Sequence, residues 1–187
     1  ADEAPYVRAA LAQAAGALGA AAAPAVPELL ALLEHPDPWV RYEAVWALGR
    51  IGPQGGGAES VARMLKDEEF EVRAAAADVL GLFGPAAIPE LEALLNDPAS
   101  DLRPMAADAL GDAGPEAAAV LECYTNDADA EVRANARASL EKARAAAEAR
   151  AAQYRNLAIG AVTMALGLAL GIMAWRKKSV THTDSSF

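Results

Sequence analysis

Apolar and small side chains recur along most of the chain at offsets 0, 4, 7, 8 and 11 from a repeating start, as in Val72, Ala76, Val79, Leu80 and Phe83. At about 3.6 residues per turn, those offsets fall on one face of a helix. The same pattern begins at Val7, Val40, Leu102 and Val132, so the chain repeats itself. Each copy has an arginine at its second position, and Arg8, Arg41, Arg73, Arg103 and Arg133 stand 33, 32, 30 and 30 residues apart. The first four copies read VRAALAQAAGALGA, VRYEAVWALGRIGP, VRAAAADVLGLFGP and LRPMAADALGDAGP; the fifth, VRANARASLEKA, has lost its glycines. Shorter apolar stretches lie between them: VPELLALLEH, ESVARMLKDE, IPELEALLND and EAAAVLECYTND. Pro27 and Pro89 sit near the first turns of two of these, where a missing N–H does little harm. The pairs Gly52-Pro53, Gly84-Pro85 and Gly114-Pro115 end the preceding long helices. The pattern predicts an all-α chain of antiparallel helix pairs.

Helix pairs at this period, with a recurring Val-Arg and a closing Leu-Gly-x-x-Gly-Pro, closely resemble HEAT repeats of the short type found in phycobilin lyase subunits. The resemblance covers roughly residues 1–140. It implies an α-solenoid of about five repeats whose neighbours stack to bury faces that no pair can bury alone. It also implies a scaffold or binding surface rather than a defined chemistry. Asp67, Asp97 and Asp127 each stand six residues before an arginine, and with the arginines they are expected to tie neighbouring repeats. His35 fills the same turn position earlier in the chain. The first copy has no helix before it and the last no glycines, so both are expected to act as caps.

Against this register one cluster stands out. Trp39, Tyr42 and Trp46 correspond to Tyr6, Ala9 and Gln13 in the first copy, and to Glu71, Ala74 and Asp78 in the third. In the fourth they correspond to Asp101, Pro104 and Asp108, and in the fifth to Glu131, Ala134 and Ala138. The fold therefore does not require rings there. At about 100° per residue the three cluster roughly 150° from the centre of the core face, so they are expected on the surface as protein-binding residues. The competing reading is that they cover the glycine-rich loop GPQGGGAES. Glu71, Asp78, Asp101 and Asp108 extend the same strip with negative charge.

The segment LAIGAVTMALGLALGIMAW, residues 157–175, is 19 residues without a charge. It reaches about 28 Å as a helix, near the thickness of a bilayer core, and is expected to be a transmembrane helix. Tyr154 and Trp175 sit at its ends as interfacial aromatics do. Thr163, Gly167 and Gly171 form a small-residue ladder suited to transmembrane helix packing. Residues 141–156 read as a helical stalk, with Arg137–Glu141 and Arg144–Glu148 as expected i, i+4 pairs along the approach. Arg176, Lys177 and Lys178 open a short basic-flanked tail, residues 176–187, which places the array on the opposite side of the membrane. The start ADEAP, without an initiator methionine, fits a processed or a trimmed N-terminus.

Composition narrows the function classes. Hydrophobic residues make up 54% of the chain, much of it alanine, which favours closely apposed helices. The net charge of −10 argues against nucleic acid as a partner. Cys123 is the sole cysteine and has no histidine beside it to activate it. No metal-ligand spacing, phosphate-cradling loop or nucleophile–base pair occurs, so the expectation is a protein without cofactor or small-molecule substrate, and not an enzyme. The leading expectation is a membrane-anchored scaffold or accessory subunit of a photosynthetic or respiratory assembly. Its partners would be integral membrane subunits and the lipid bilayer, in a thylakoid or mitochondrial inner membrane. Alternatives are a membrane-tethered pigment lyase or cofactor chaperone, and a tail-anchored cytosolic adaptor.

Overall fold

The computed structural model describes residues 4–183, with side chains described through residue 168 apart from residues 162 and 165. Among the described residues there are nine α-helices: α1 (Ala4–Leu18), α2 (Val26–Leu32), α3 (Pro38–Ile51), α4 (Ala58–Arg63), α5 (Phe70–Leu82), α6 (Ile88–Asn96), α7 (Arg103–Asp112), α8 (Ala118–Tyr124) and α9 (Ala130–Thr183). The chain divides into two compact units, Ala1–Ala146 and Ala147–Phe187. In the first, the long helices α1, α3, α5 and α7 stack in chain order, and α2, α4 and α6 each pack on the long helix that follows. The beginning of α9 takes the fifth place. Its Asn135 donates to the Pro104 carbonyl at 2.9 Å and its Ser139 to the Asp108 carbonyl at 3.3 Å. The repeating apolar offsets are the core: Val40, Ala44 and Ile51, Val72, Ala76 and Phe83, Leu102, Ala106 and Ala113, and Val132, Ala136 and Ala143 are all buried.

The two glycines of each copy do different work. The later one, Gly52, Gly84 or Gly114, has φ of 82°, 74° or 111°, a left-handed conformation that ends the long helix. The earlier one lies inside its helix, where the next long helix comes closest. A Cβ added at Gly16, Gly49, Gly81 or Gly111 would meet Ala47, Val79, Ala109 or Ser139, the residue at offset 7 of the following copy. The fifth copy carries Glu141 at this position, and among the described residues no further repeat stacks on it.

The first copy breaks the burial pattern. Val7, Leu11 and Leu18 occupy the offsets buried in the inner copies but are 55%, 63% and 66% exposed. Among the described residues no short helix covers α1 as α2 covers α3, and this apolar strip of α1 stays open.

This same region corrects the expected position of a membrane-crossing helix, and with it the reading of the chain as a repeat array with a C-terminal anchor. Among the described residues the segment long and apolar enough to cross a membrane is Ala4–Leu32, 29 residues near the N-terminus, not residues 157–175. The reason is compositional: residues 9–27 contain no charged side chain, and their alanines are split between α1 and a 3-10 segment (Gly19–Ala25) that leads into α2. The segment meets this criterion by length and composition only, and its inner face, including Ala9, Ala12, Ala22 and Leu29, belongs to the array.

In the second unit α9 continues without a break. Thr163 Oγ1 donates to the carbonyls of Ile159 (3.1 Å) and Gly160 (2.9 Å), so its hydroxyl is satisfied within its own helix. Gly167 has nothing within 4 Å of an added Cβ, and Gly171 lies outside the residues whose side chains are described. The expected i, i+4 pairs are replaced by ties to neighbouring segments. Arg137 donates to the Thr125 carbonyl at 2.9 Å, and Arg144 meets Glu122 at 2.7 Å.

Candidate functional site

The arginine ladder runs along the turns that precede the long helices. Arg41 Nε and Nη2 each donate to the Asp67 carboxylate at 2.8 Å, while Nη1 donates to the His35 (2.9 Å) and Pro36 (3.2 Å) carbonyls. Asp67 thus offers its carboxylate to the previous repeat's arginine and its carbonyl to Arg73, at 2.9 Å. Asp127 does the same for Arg103 and Arg133, each at 2.6 Å. Asp97 departs from the expectation: its carboxylate accepts the Ala99 N–H, and Arg73 pairs with Asp101 instead, at 3.0 Å. In the first link Arg8 Nη1 lies 2.8 Å from His35 Nε2. The Asp37 N–H also approaches His35 Nδ1 at 3.1 Å, and because a neutral imidazole has one acceptor nitrogen these donors compete. The ladder holds repeats together; its groups are committed to one another.

Electrostatics follow the geometry. Burial pushes the Asp67 carboxyl up, but hydrogen bonds from Arg41 and the Glu69 N–H outweigh it and hold the group below the usual carboxylate range. The Asp129 N–H, with Arg103 beside it, likewise holds Asp127 low.

The aromatic trio stands on α3. That helix begins where it does because Asp37 accepts the Trp39 N–H at 2.9 Å and Pro38 occupies the first turn. Trp39 and Tyr42 stack with ring centroids 5.3 Å apart and planes 14° apart, and Trp46 meets Tyr42 edge-on at 6.3 Å. The glycine-rich loop does not lie beneath them: added Cβ atoms at Gly55 and Gly57 would meet Val26, Ile51, Leu30 and Leu48. The three rings are not equivalent, however. Trp39 is 49% exposed, whereas Tyr42 and Trp46 pack against the edge of the core. Trp46 Nε1 is shielded from solvent and has no hydrogen-bond partner. Trp39→Ala is therefore expected to cost the fold no more than about 1 kcal/mol, and Trp46→Ala about 3 kcal/mol, by chemical denaturation of the full chain. Equal costs would place both rings in the same environment and contradict this division.

Two grooves adjoin the trio. Pro38, Trp39, Tyr42, Glu69, Glu71 and Val72 line the first, and Trp46, Asp78, Leu82, Asp108, Ala109 and Asp112 the second. Of the four acids expected to extend the strip, Glu71, Asp78 and Asp108 do so; Asp101 is withdrawn into the Arg73 pair. Glu69 and Asp112 lacked any signal in the repeat register, because they lie outside the positions equivalent to the rings. Partial desolvation pushes the Asp78 carboxyl above the usual range, and the charges of Asp108 and Asp112 push it further. A raised folded-state value means that ionised Asp78 opposes folding at neutral pH. Asp78→Asn is expected to raise the melting temperature at pH 7, and the gain to fade as the pH falls through the Asp78 value and the wild type takes up its proton. A lower melting temperature at pH 7 would contradict this. A separate groove lies between α4 and α6, with Glu59, Arg63, Lys66 and Glu90 giving it mixed charge. Among the described residues, no group of three or more His, Cys, Asp or Glu is placed to hold a metal ion.

The profile of HEAT repeats matches residues 1–63 and 57–141, and the chain belongs to the HEAT-repeat family. Among solved structures, that of human deoxyhypusine hydroxylase in complex with glycerol is similar, at 29% identity over 64% of this chain and 43% of that one, with a TM-score of 0.57. This chain thus spans less than half the length of the hydroxylase. The crystal structure of an engineered protein is 25% identical over 68% of each chain, with a TM-score of 0.47. No curated protein matches the chain. The fold is that of an all-helical scaffold for protein–protein interaction.

Proposed function

We propose that the chain is a non-catalytic adaptor that holds a partner protein against α3 and its neighbours, with Trp39 and Tyr42 as the main contact and Trp46 as their support. The observation that carries this reading is the exposed Trp39 stacked on the half-buried Tyr42, at positions where the sister repeats build the same helix without a ring pair. Exposed aromatic side chains are a minority of this surface, and Trp and Tyr commonly supply most of the energy of an interface. A stacked helix array also offers an extended surface whose shape survives changes in the side chains it presents.

A photoreactive phenylalanine analogue at position 39 of the full chain, expressed in cells, tests this. It should yield one defined crosslinked protein, and Tyr42→Ala should suppress the product. The same analogue at the exposed Tyr154 serves as the control. No product from position 39, or the same products from both positions, would overturn the proposal.

A further inference from the structure

The two grooves beside the aromatic trio share a charge pattern that specifies their occupant. Ten different residues beyond Trp39 and Trp46 line them, five are acids (Glu69, Glu71, Asp78, Asp108, Asp112), and none is basic. Three cations of this region are already paired: Lys142 with Asp112, Arg73 with Asp101, and Arg41 with Asp67. The first groove combines a flat aromatic floor with carboxylates at its wall, and the Tyr42–Trp46 edge contact joins it to the second.

Resting on the adaptor reading above, we infer that the partner docks through a segment bearing at least two arginines, one laid over the Trp39–Tyr42 stack and facing Glu69 and Glu71, the next facing Asp78 and Asp108. Arginine suits the first groove better than lysine. Its planar guanidinium stacks on a ring face and offers a carboxylate two parallel N–H donors, whereas the ammonium of lysine does neither. An arriving cation would also offset the charges of Asp108 and Asp112, which add to desolvation in pushing the Asp78 carboxyl up. The net charge of −10 adds long-range attraction for such a segment but does not choose the groove.

The test uses the full chain and three labelled peptides of one length, with arginine, lysine or glutamate alternating with serine, read by fluorescence anisotropy at about 50 mM and 150 mM salt. The arginine peptide should bind several-fold more tightly than the lysine peptide, and the glutamate peptide not at all. Glu69→Gln with Glu71→Gln should weaken arginine binding about tenfold or more, and Trp39→Ala should do the same. Glu59→Gln with Glu90→Gln, in the groove between α4 and α6, should change it less than twofold. No binding at the lower salt, or equal losses from both pairs of glutamate substitutions, would overturn the inference. So would a self-association abolished by Glu69→Gln with Glu71→Gln, since the occupant would then be a second copy of the chain. The adaptor reading fails separately: a partner that still crosslinks from position 39 when Glu69 and Glu71 are glutamine would leave it standing and remove the arginine segment alone.

Discussion

Replacing Asp67 by alanine is expected to destabilise the array by about 3–5 kcal/mol, the range found when one member of a buried ion pair is removed. Arg41 and Asp67 side chains are 8% and 6% exposed, and two of the guanidinium donors would lose their acceptor. Arginine cannot escape by giving up its proton, so the charge stays buried with only the more distant and exposed Glu68 carboxylate, at 3.4 Å, left to it. Asp101, paired with Arg73 where the side chains are 22% and 55% exposed, is the internal comparison, and Asp101→Ala should cost no more than about 1 kcal/mol. Acid should reproduce part of the effect. The Asp67 carboxyl is held low in the folded state, so its contribution is present above the unfolded value of about 3.9 and is lost as the pH falls through the folded value. Asp67→Asn should flatten that limb of the stability curve. Combining Asp67→Leu with Arg41→Met should recover part of the loss, because it leaves no buried charge unpaired, although the His35 and Pro36 carbonyls lose a donor and the Glu69 N–H an acceptor. Denaturant titration of the four proteins decides the matter, and equal costs for Asp67→Ala and Asp101→Ala would show that burial is not what makes this rung strong.

The ladder also shows what a repeating sequence reveals. Aligning the copies located the arginines, the turn acids and His35, because each recurs at a set distance from an apolar start. It did not reveal that the Asp67 carboxylate crosses to Arg41 while its carbonyl serves Arg73, since both partners lie in the same register. Nor could it foresee the exchange of Asp97 for Asp101. The aromatic trio was legible as an exception to the repeat, but angular position alone placed Trp39 and Trp46 in one environment. The stacking of α5 on α3, and of α7 on α5, distinguishes them, by bringing Asp78, Leu82 and Asp108 beside Trp46 and leaving Trp39 open. The largest misreading concerned apolar length. Residues 157–175 form one uninterrupted run, whereas the equally long charge-free stretch at residues 9–27 is masked by the repeat register with which it coincides. The exposure of Val7, Leu11 and Leu18 in α1 shows only when the burial of each copy is compared with the next.

The second large effect is expected from a single methyl group. Gly81→Ala should destabilise the array by about 2 kcal/mol or more, although alanine in a helix interior ordinarily gains about 1 kcal/mol over glycine. A Cβ at Gly81 would lie 2.5 Å from the Ala109 carbonyl oxygen and 3.2 Å from its Cα, so α5 meets the main chain of α7 rather than a side chain. Main chain cannot rotate away, and the whole helix must move, opening the packed face that both share. Gly49→Ala meets the Val79 methyl groups at 2.7 and 2.9 Å, and a buried side chain can yield slightly more than a carbonyl. At Gly16 the nearest atom is the Ala47 Cα at 3.1 Å, in a first copy that is partly uncovered and free to shift. The expected order of cost is Gly81 above Gly49 above Gly16, with Gly16→Ala near neutral once the helix gain is counted. Denaturant midpoints of the three full-length variants measure this order directly. If Gly81→Ala proved as mild as Gly16→Ala, the long helices could separate at little cost, and the recurring glycine would owe its place to something other than their close approach.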